Sequence, residues 1–430
     1  MSIENYLAES ENLLSSIEKI RKFNSNYGVF PSKKISDIIT KMKSFSSSIP
    51  EITSVENFDD LLQSELKRRI EGEVLSFEQF LGSKYYDFDT VISMYAIPKS
   101  DIDSLHPWLV ENKDKTMESI ERLYENKDVQ FYNLGLPADI PSVRRQVEEF
   151  ASINIQKYHK RLGGMIQDLT SVGGFLREID AVATTNPRSY FNQLTKILAI
   201  GISAFCFTTE DGGLQIKERN LISLYGHEGM GHALNKVITR FGDLPYFLKL
   251  ESQSAVSTME SLAQFYQRII FEDLKNSVET QKHLGIEHKF EDIYQEEKDI
   301  SMLEEYKSKL FQYSITVLAD KTLGDPLDKK TLMKKIELLN EVTIDPNYSL
   351  NFVEQNRFNF DSQGNLNSQL VSELRYCAQP VERAIVEFEK KGITYSGDKR
   401  GLIDSTLLNG FWTPVGFVDY AKLVAKKNSI

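Results

Sequence analysis

The sequence predicts a mainly α-helical fold with a small β element next to one central helix. Apolar residues recur at three- and four-residue steps along most of the chain, as amphipathic helices require. One stretch, 202–218, alternates apolar and small residues instead. At 430 residues, 41% hydrophobic and 26% charged, the chain has an ordinary globular composition with material for a sizeable core.

Taken in order, "KSFSSSIPEITS" (43–54) reads as a loop, rich in serine and broken by Pro50. Behind Pro141-Ser142, the residues Val143, Val147, Phe150, Ala151, Tyr158 and Leu162 form the apolar stripe of a helix. In "ISAFCFTTEDGGLQIKE" (202–218), Asp211-Gly212-Gly213 supplies a turn between two short apolar runs, which predicts a β-hairpin. Leu303, Tyr306, Leu310, Tyr313 and Val317 predict a helix starting at Ser301, which is spaced from Glu304 as a capping box. "TLGDPLDKKT" (322–331) reads as a second loop. Neither loop is long enough for an interdomain linker, and no repeat is visible.

The chemistry concentrates in "SLYGHEGMGHALNKV" (223–237), where His227 and His232 stand five apart with Glu228 beside the first. Leu221, Leu224, Ala233, Leu234, Val237 and Ile238 predict a buried helix through it. Positions four apart on a regular helix are offset by roughly 40°, whereas positions five apart are offset by roughly 140°, too far for two imidazoles to share one ion. A π-turn absorbs the extra residue and brings them onto one face. Gly226, Gly229 and Gly231 make that distortion sterically cheap, and three glycines at roughly 1 kcal/mol each are otherwise hard to justify in a helix. Two neutral imidazoles and a carboxylate suit Zn²⁺ with a position left for water, and Glu228 is placed to act on that water as general base. The plainer alternative makes both histidines core or capping residues.

Glu251 and Glu260 are the candidates for the third ligand, 19 and 28 residues after His232. "STMESLAQFYQRIIFEDL" reads as a helix in which Glu260, Gln264 and Gln267 share a polar stripe, roughly a turn apart. A carboxylate backed by two amides suits a site lining, which favours Glu260. His283 and His288 are also five apart, but their segment is polar and lacks clustered glycines, so they read as surface residues. His106 and His159 are isolated. Cys206 and Cys377 are too few for a disulfide framework and read as buried thiols in a reducing compartment.

These residues carry a resemblance. "HEGMGHAL" is similar to the H-E-F-G-H-A-L motif of thimet-type oligopeptidases with one residue inserted, and to the H-E-x-x-G-H of dipeptidyl-peptidase III. The wider pattern over 200–430 resembles a gluzincin-like zinc metallopeptidase family, catalogued as a domain of unknown function, with H-E-A-x-P-G-H, Asp-Leu-Pro, E-G-W, R-Y-x-x-x-P and a terminal Leu-Gly-Pro stretch. The matching elements here are "HEGMGH", "DLPYF" (243–247), "ESLAQF" (260–265), "RYCAQP" (375–380) and "LLNGFWTP" (407–414). The resemblance implies a helical metallopeptidase-like fold, zinc ligands His227, His232 and Glu260, and Glu228 as base. It also implies that Arg375 and Tyr376 face the metal and stabilise an oxyanion. This chain departs from that pattern by a first motif one residue shorter and without its proline, by Ser261-Leu262 in place of Gly-Trp, and by Val381-Glu382 after Pro380 in place of Gly-Gln.

The expected architecture is an N-terminal helical lobe, 1–190, and a metal-binding lobe, 191–430, within one compact unit with a cleft between. The hairpin at 202–218 would offer an edge strand to an extended substrate. A net charge of −11 excludes a broadly basic surface and so argues against nucleic-acid or anionic-membrane binding. The longest apolar run, 197–207, is too short to span a bilayer, and "MSIENYLAES" lacks an apolar leader core, so a cytoplasmic protein is expected. The expected reaction is zinc-dependent hydrolysis of a peptide or related amide bond, with other divalent transition metals also accepted by these ligands. Two further readings stay open: a metallohydrolase of a small non-peptide amide or ester, and a non-catalytic protein whose helices are stapled by a metal.

Overall fold

The computed structural model describes residues 3–27, 32–81, 85–125, 141–186, 189–192, 195–208, 213–324, 328–361, 365–367, 370, 373–374 and 378–429. It is 76% helical, with sheets of only two and three strands, which establishes the mainly α class. The first half contains α1 (Ile3–Tyr27), α2 (Ser32–Ser48), α3 (Phe58–Phe80), α4 (Phe88–Met94), α5 (Lys99–Asp103), α6 (Leu105–Glu125) and α7 (Pro141–Leu169). Five short strands follow: β1 (Asp180–Thr184), β2 (Tyr190–Asn192), β3 (Ile197–Gly201), β4 (Cys206–Thr208) and β5 (Leu214–Ile216). Next come α8 (Glu218–Leu224), a π-helical segment (Tyr225–Leu234), α9 (Asn235–Phe241), α10 (Val256–Lys275), α11 (Val278–Leu284), α12 (Phe290–Ala319), α13 (Lys329–Val342) and α14 (Tyr348–Asn356). The chain closes with α15 (Pro380–Glu389), α16 (Gly397–Leu407) and α17 (Pro414–Asn428). No helix among the described residues is long and apolar enough to cross a membrane.

The strand pairing of the hairpin read from 202–218 is present, Cys206 pairing antiparallel with Ile216 and Thr208 with Leu214, while Asp211 and Gly212 of the expected turn lie outside the described residues. A second sheet has the order β1-β3-β2, with β3 parallel to β1 and antiparallel to β2. It was not legible because its strands are three to five residues long and its central strand, buried throughout apart from Ile197, shows no alternation.

Two boundaries differ from the sequence reading. The helix expected from Ser301 starts at Phe290, since Phe290, Ile293, Tyr294 and Ile300 continue its buried stripe upstream. Ser301 caps nothing; its hydroxyl donates one turn back to Glu297 at 3.0 Å. The loop at 43–54 begins only after Ser48, because buried Phe45 and Ser46 extend α2, with Ser46 donating to Glu71 of α3 at 2.9 Å. The loop at 322–331 ends earlier than expected, because Asp328 caps α13 by accepting from the Thr331 amide at 2.9 Å and the helix begins at Lys329; residues 325–327 lie outside the described residues.

The division expected between 190 and 191 falls inside β2, and the largest buried cluster takes Leu66, Tyr158, Met230, Ile270 and Phe417 from both sides of it. The two halves are tied polarly as well. Glu65 of α3, fully buried, accepts from the amide of Thr413 at 2.6 Å and from its hydroxyl at 2.5 Å, while Arg69 one turn on donates to the carbonyls of Phe411 and Leu250. Burial raises the Glu65 carboxyl above its usual range, against Arg68, Arg69 and Thr413, which act to lower it. "LLNGFWTP" is therefore the seat of a structural joint between the first helices and the last.

Candidate metal centre

The π-helical segment covers both histidines, as five-residue spacing requires. It runs straight from α8 into α9 with helical caps at both ends, so the inserted residue is absorbed without breaking the helix. The rings of His227 and His232 lie 5.0 Å apart, centre to centre, at 83° to one another.

The glycines do more than ease the bend. A Cβ at Gly231 would stand 2.3 Å from Cα of Ala263, and one at Gly226 would stand 2.8 Å from Cα of Gln267. Both neighbours belong to α10, so two missing side chains let that helix cross the π segment in near backbone contact. Gly229 faces the other way, with Leu198 and Tyr225 no nearer than 3.3 Å.

That crossing delivers Glu260. Its two oxygens lie 3.7 Å from Nε2 of His227 and 3.6 Å from Nε2 of His232. Among the described residues these three form the one group whose potential ligand atoms converge, all within 4.8 Å of one another. Glu251, the rejected candidate, instead pairs with Lys236 at 2.9 Å. Gln267, from the same stripe as Glu260, shares a side-chain hydrogen bond with His227 and donates to Glu297 at 3.0 Å. Glu297 in turn meets Arg219 at 2.7 Å. One ring is thus held by an amide anchored on α8 and α12, the type of outer support that fixes a ligating histidine.

Burial disfavours the charged imidazoles. Loss of hydration lowers His232 to about 3, with His227 and Lys236 adding repulsion, and it lowers His227 against the opposing hydrogen bond from Gln267. Both are therefore neutral with free lone pairs at neutral pH. Glu228 moves the other way: burial, then the Glu260 carboxylate, raise it to about 7, while Lys236 pulls it down.

Two clefts meet at the cluster. One, of about 690 Å³, includes His227, Glu260, Gln264, Gln267 and Glu304 in its wall. The other, of about 700 Å³, includes His227, Glu228, His232, Glu260, Tyr190 and Phe191. The edge strand at the site is therefore β2; among the described residues of 202–218, expected to receive an extended substrate, none lines either wall. Short length hid β2 in the sequence.

Arg375, Tyr376 and Cys377 lie outside the described residues. The burial of Cys206 pushes its thiol up to about 12, which leaves it inert. His283 and His288 are exposed as expected, and His106 pairs with Glu341 at 3.6 Å. His159, read as isolated, reaches the site indirectly: its Nδ1 lies 3.0 Å from the hydroxyl of buried Tyr225, the first residue of the π segment. Nothing in "QKYHKRL" announces that contact, which joins positions 66 apart in sequence. Comparison with protein-family models, with curated proteins and with solved structures gives no match.

Proposed function

We propose that the protein is a metal-dependent hydrolase that cleaves a peptide or related amide bond, with zinc as the ion its donor set suits best. The observation that carries this reading is the convergence of His227, His232 and Glu260 at the meeting point of two clefts. The donor set fits the ion: two imidazoles kept neutral by burial and one carboxylate, with N to O separations of 3.6 and 3.7 Å. Ligands at about 2.0–2.2 Å from one tetrahedral zinc stand roughly 3.4 Å apart, so only a small adjustment is needed. When bound there, the ion supplies Lewis-acid chemistry, polarising a carbonyl and strengthening water as a nucleophile.

The protein's own residues do the rest. Glu228 lines the second cleft beside the ligands and serves as proton acceptor. Water adds to the carbonyl carbon, the C–N bond breaks, and the proton taken by Glu228 passes to the leaving amine. Gln267 orients His227, and Lys236, engaged with Glu251, borders Glu228 without competing for the ligands. Arg375 and Tyr376 are assigned to the oxyanion on the family resemblance, and Glu373 and Ala378, each two positions from that pair, line the first cleft. Clefts on both sides of the cluster favour a peptide over a small enclosed amide, and favour catalysis over a metal that only staples helices.

The test separates binding from catalysis. Glu228→Gln keeps the shape but loses the proton acceptor, so metal content should stay at the wild-type level while peptide hydrolysis falls by roughly 10²-fold or more. His227→Ala, His232→Ala and Glu260→Ala should each lose both. A Glu228→Gln variant that hydrolyses peptides at the wild-type rate contradicts the role given to Glu228.

A further inference from the structure

We infer that the cleft on the α12 side of the metal cluster is a cation-selective subsite, which holds a lysine or arginine side chain of the substrate against Glu304 and Glu373. This rests on the hydrolase reading and adds a substrate class to it. Charge bookkeeping within the wall is the first observation. Of its five carboxylates, Glu260 faces the histidines, Glu382 is paired with Arg268 at 2.8 Å, and Glu305 is paired with Lys309 at 3.4 Å. Lys309 is further committed, its ammonium lying 4.6 Å over the ring of Trp108. Among the described residues, both cations of the wall are thus spoken for, and none pairs with Glu304 or Glu373.

The second observation is independent of charge. Ser257, on α10 one turn before Glu260, is only 3% exposed, lines the same cleft, and has a hydroxyl without a hydrogen-bond partner. Buried hydroxyls are seldom left unsatisfied unless a ligand or water completes them. In the same wall Phe311 gives an apolar surface on which an alkyl stem can lie while its charged head reaches the carboxylates. A cavity of about 690 Å³ has room for a residue of that length with the chain attached. The other cleft is less acidic, since it sets Arg69, Lys236 and Lys249 among its five acids.

The test uses acetyl-capped peptides that differ at one position, lysine or its uncharged isostere norleucine, together with the norleucine peptide left uncapped. Binding to the full-length Glu228→Gln protein is read by fluorescence anisotropy, and turnover by wild type is read by mass spectrometry. We expect the lysine peptide to bind about tenfold tighter than the capped norleucine peptide, and Glu304→Gln/Glu373→Gln to bring that ratio close to one. A gain for the uncapped norleucine peptide that the same double substitution removes would assign the cation to the substrate's terminal amine and overturn the side-chain version. Binding ratios near one in the parent protein overturn the subsite altogether, even if every peptide is cleaved. Cation-selective binding without cleavage of any peptide leaves the subsite standing and removes the hydrolase reading.

Discussion

Gly231 shows how one residue sets the geometry of the centre. The sequence exposes three glycines around two histidines, and they read as relief for a π-turn. That reading found the π segment but missed what two of them do, because clearance against another helix is invisible in a local pattern. With 2.3 Å to the Ala263 backbone, Gly231→Ala must push α10 outward and carry Glu260 away from the imidazoles. We expect it to destabilise by roughly 1–3 kcal/mol, as overpacking does, and to weaken metal binding at the same time. Gly226→Ala should act likewise through Gln267. Gly229→Ala is the control: its new methyl meets side chains at 3.3 Å or more, so helix propensity, roughly 1 kcal/mol in its favour, offsets the crowding. Urea melts of the three variants, each with a zinc titration, check this. Equal losses at all three positions would mean that the glycines matter only for backbone freedom.

At the level of elements, helices with continuous apolar stripes were legible, and so was the polar face of α10 that carries Glu260, Gln264 and Gln267. What was not legible were contacts between elements: Ser301 looks like a cap but sits in the middle of α12, and His159 looks idle but joins α7 to the π segment. His159 is half-buried and uncharged by preference, since loss of hydration holds it below 6.5, against Ile179 and Asp180, which act to raise it. Because its folded value lies below its unfolded one, its contribution to stability is complete above about pH 6.5 and is lost as the pH falls toward the folded value. We expect His159→Gln to flatten the decline of the melting temperature between pH 7.5 and pH 5, measured on metal-free protein. The same decline in the variant would show that the group titrates alike in both states. Tyr225→Phe should leave that slope in place but loosen the start of the π segment, seen as faster amide exchange there.

For the whole molecule, the mainly α class followed from periodicity, and burial crosses residue 190, as one compact unit requires. Helix α3 reaches from the N-terminal half to Phe411 and Thr413, and its residues Arg69 and Glu73 also line the cleft beside His232. Contacts between residues more than three hundred positions apart leave no trace in local pattern. Metal and fold should accordingly be coupled: an ion bridging the π segment and α10 binds only the folded chain, so a chelator should lower the melting temperature, and zinc at about 100 times its Kd should restore roughly 2.7 kcal/mol. The central claim, that three side chains from these two elements hold one ion, is tested most directly by the metal content per chain of wild type and Glu260→Ala, measured by plasma mass spectrometry after equilibration with zinc. The account predicts about one ion in wild type and almost none in Glu260→Ala; no bound zinc in wild type, or equal content in the two proteins, would contradict it.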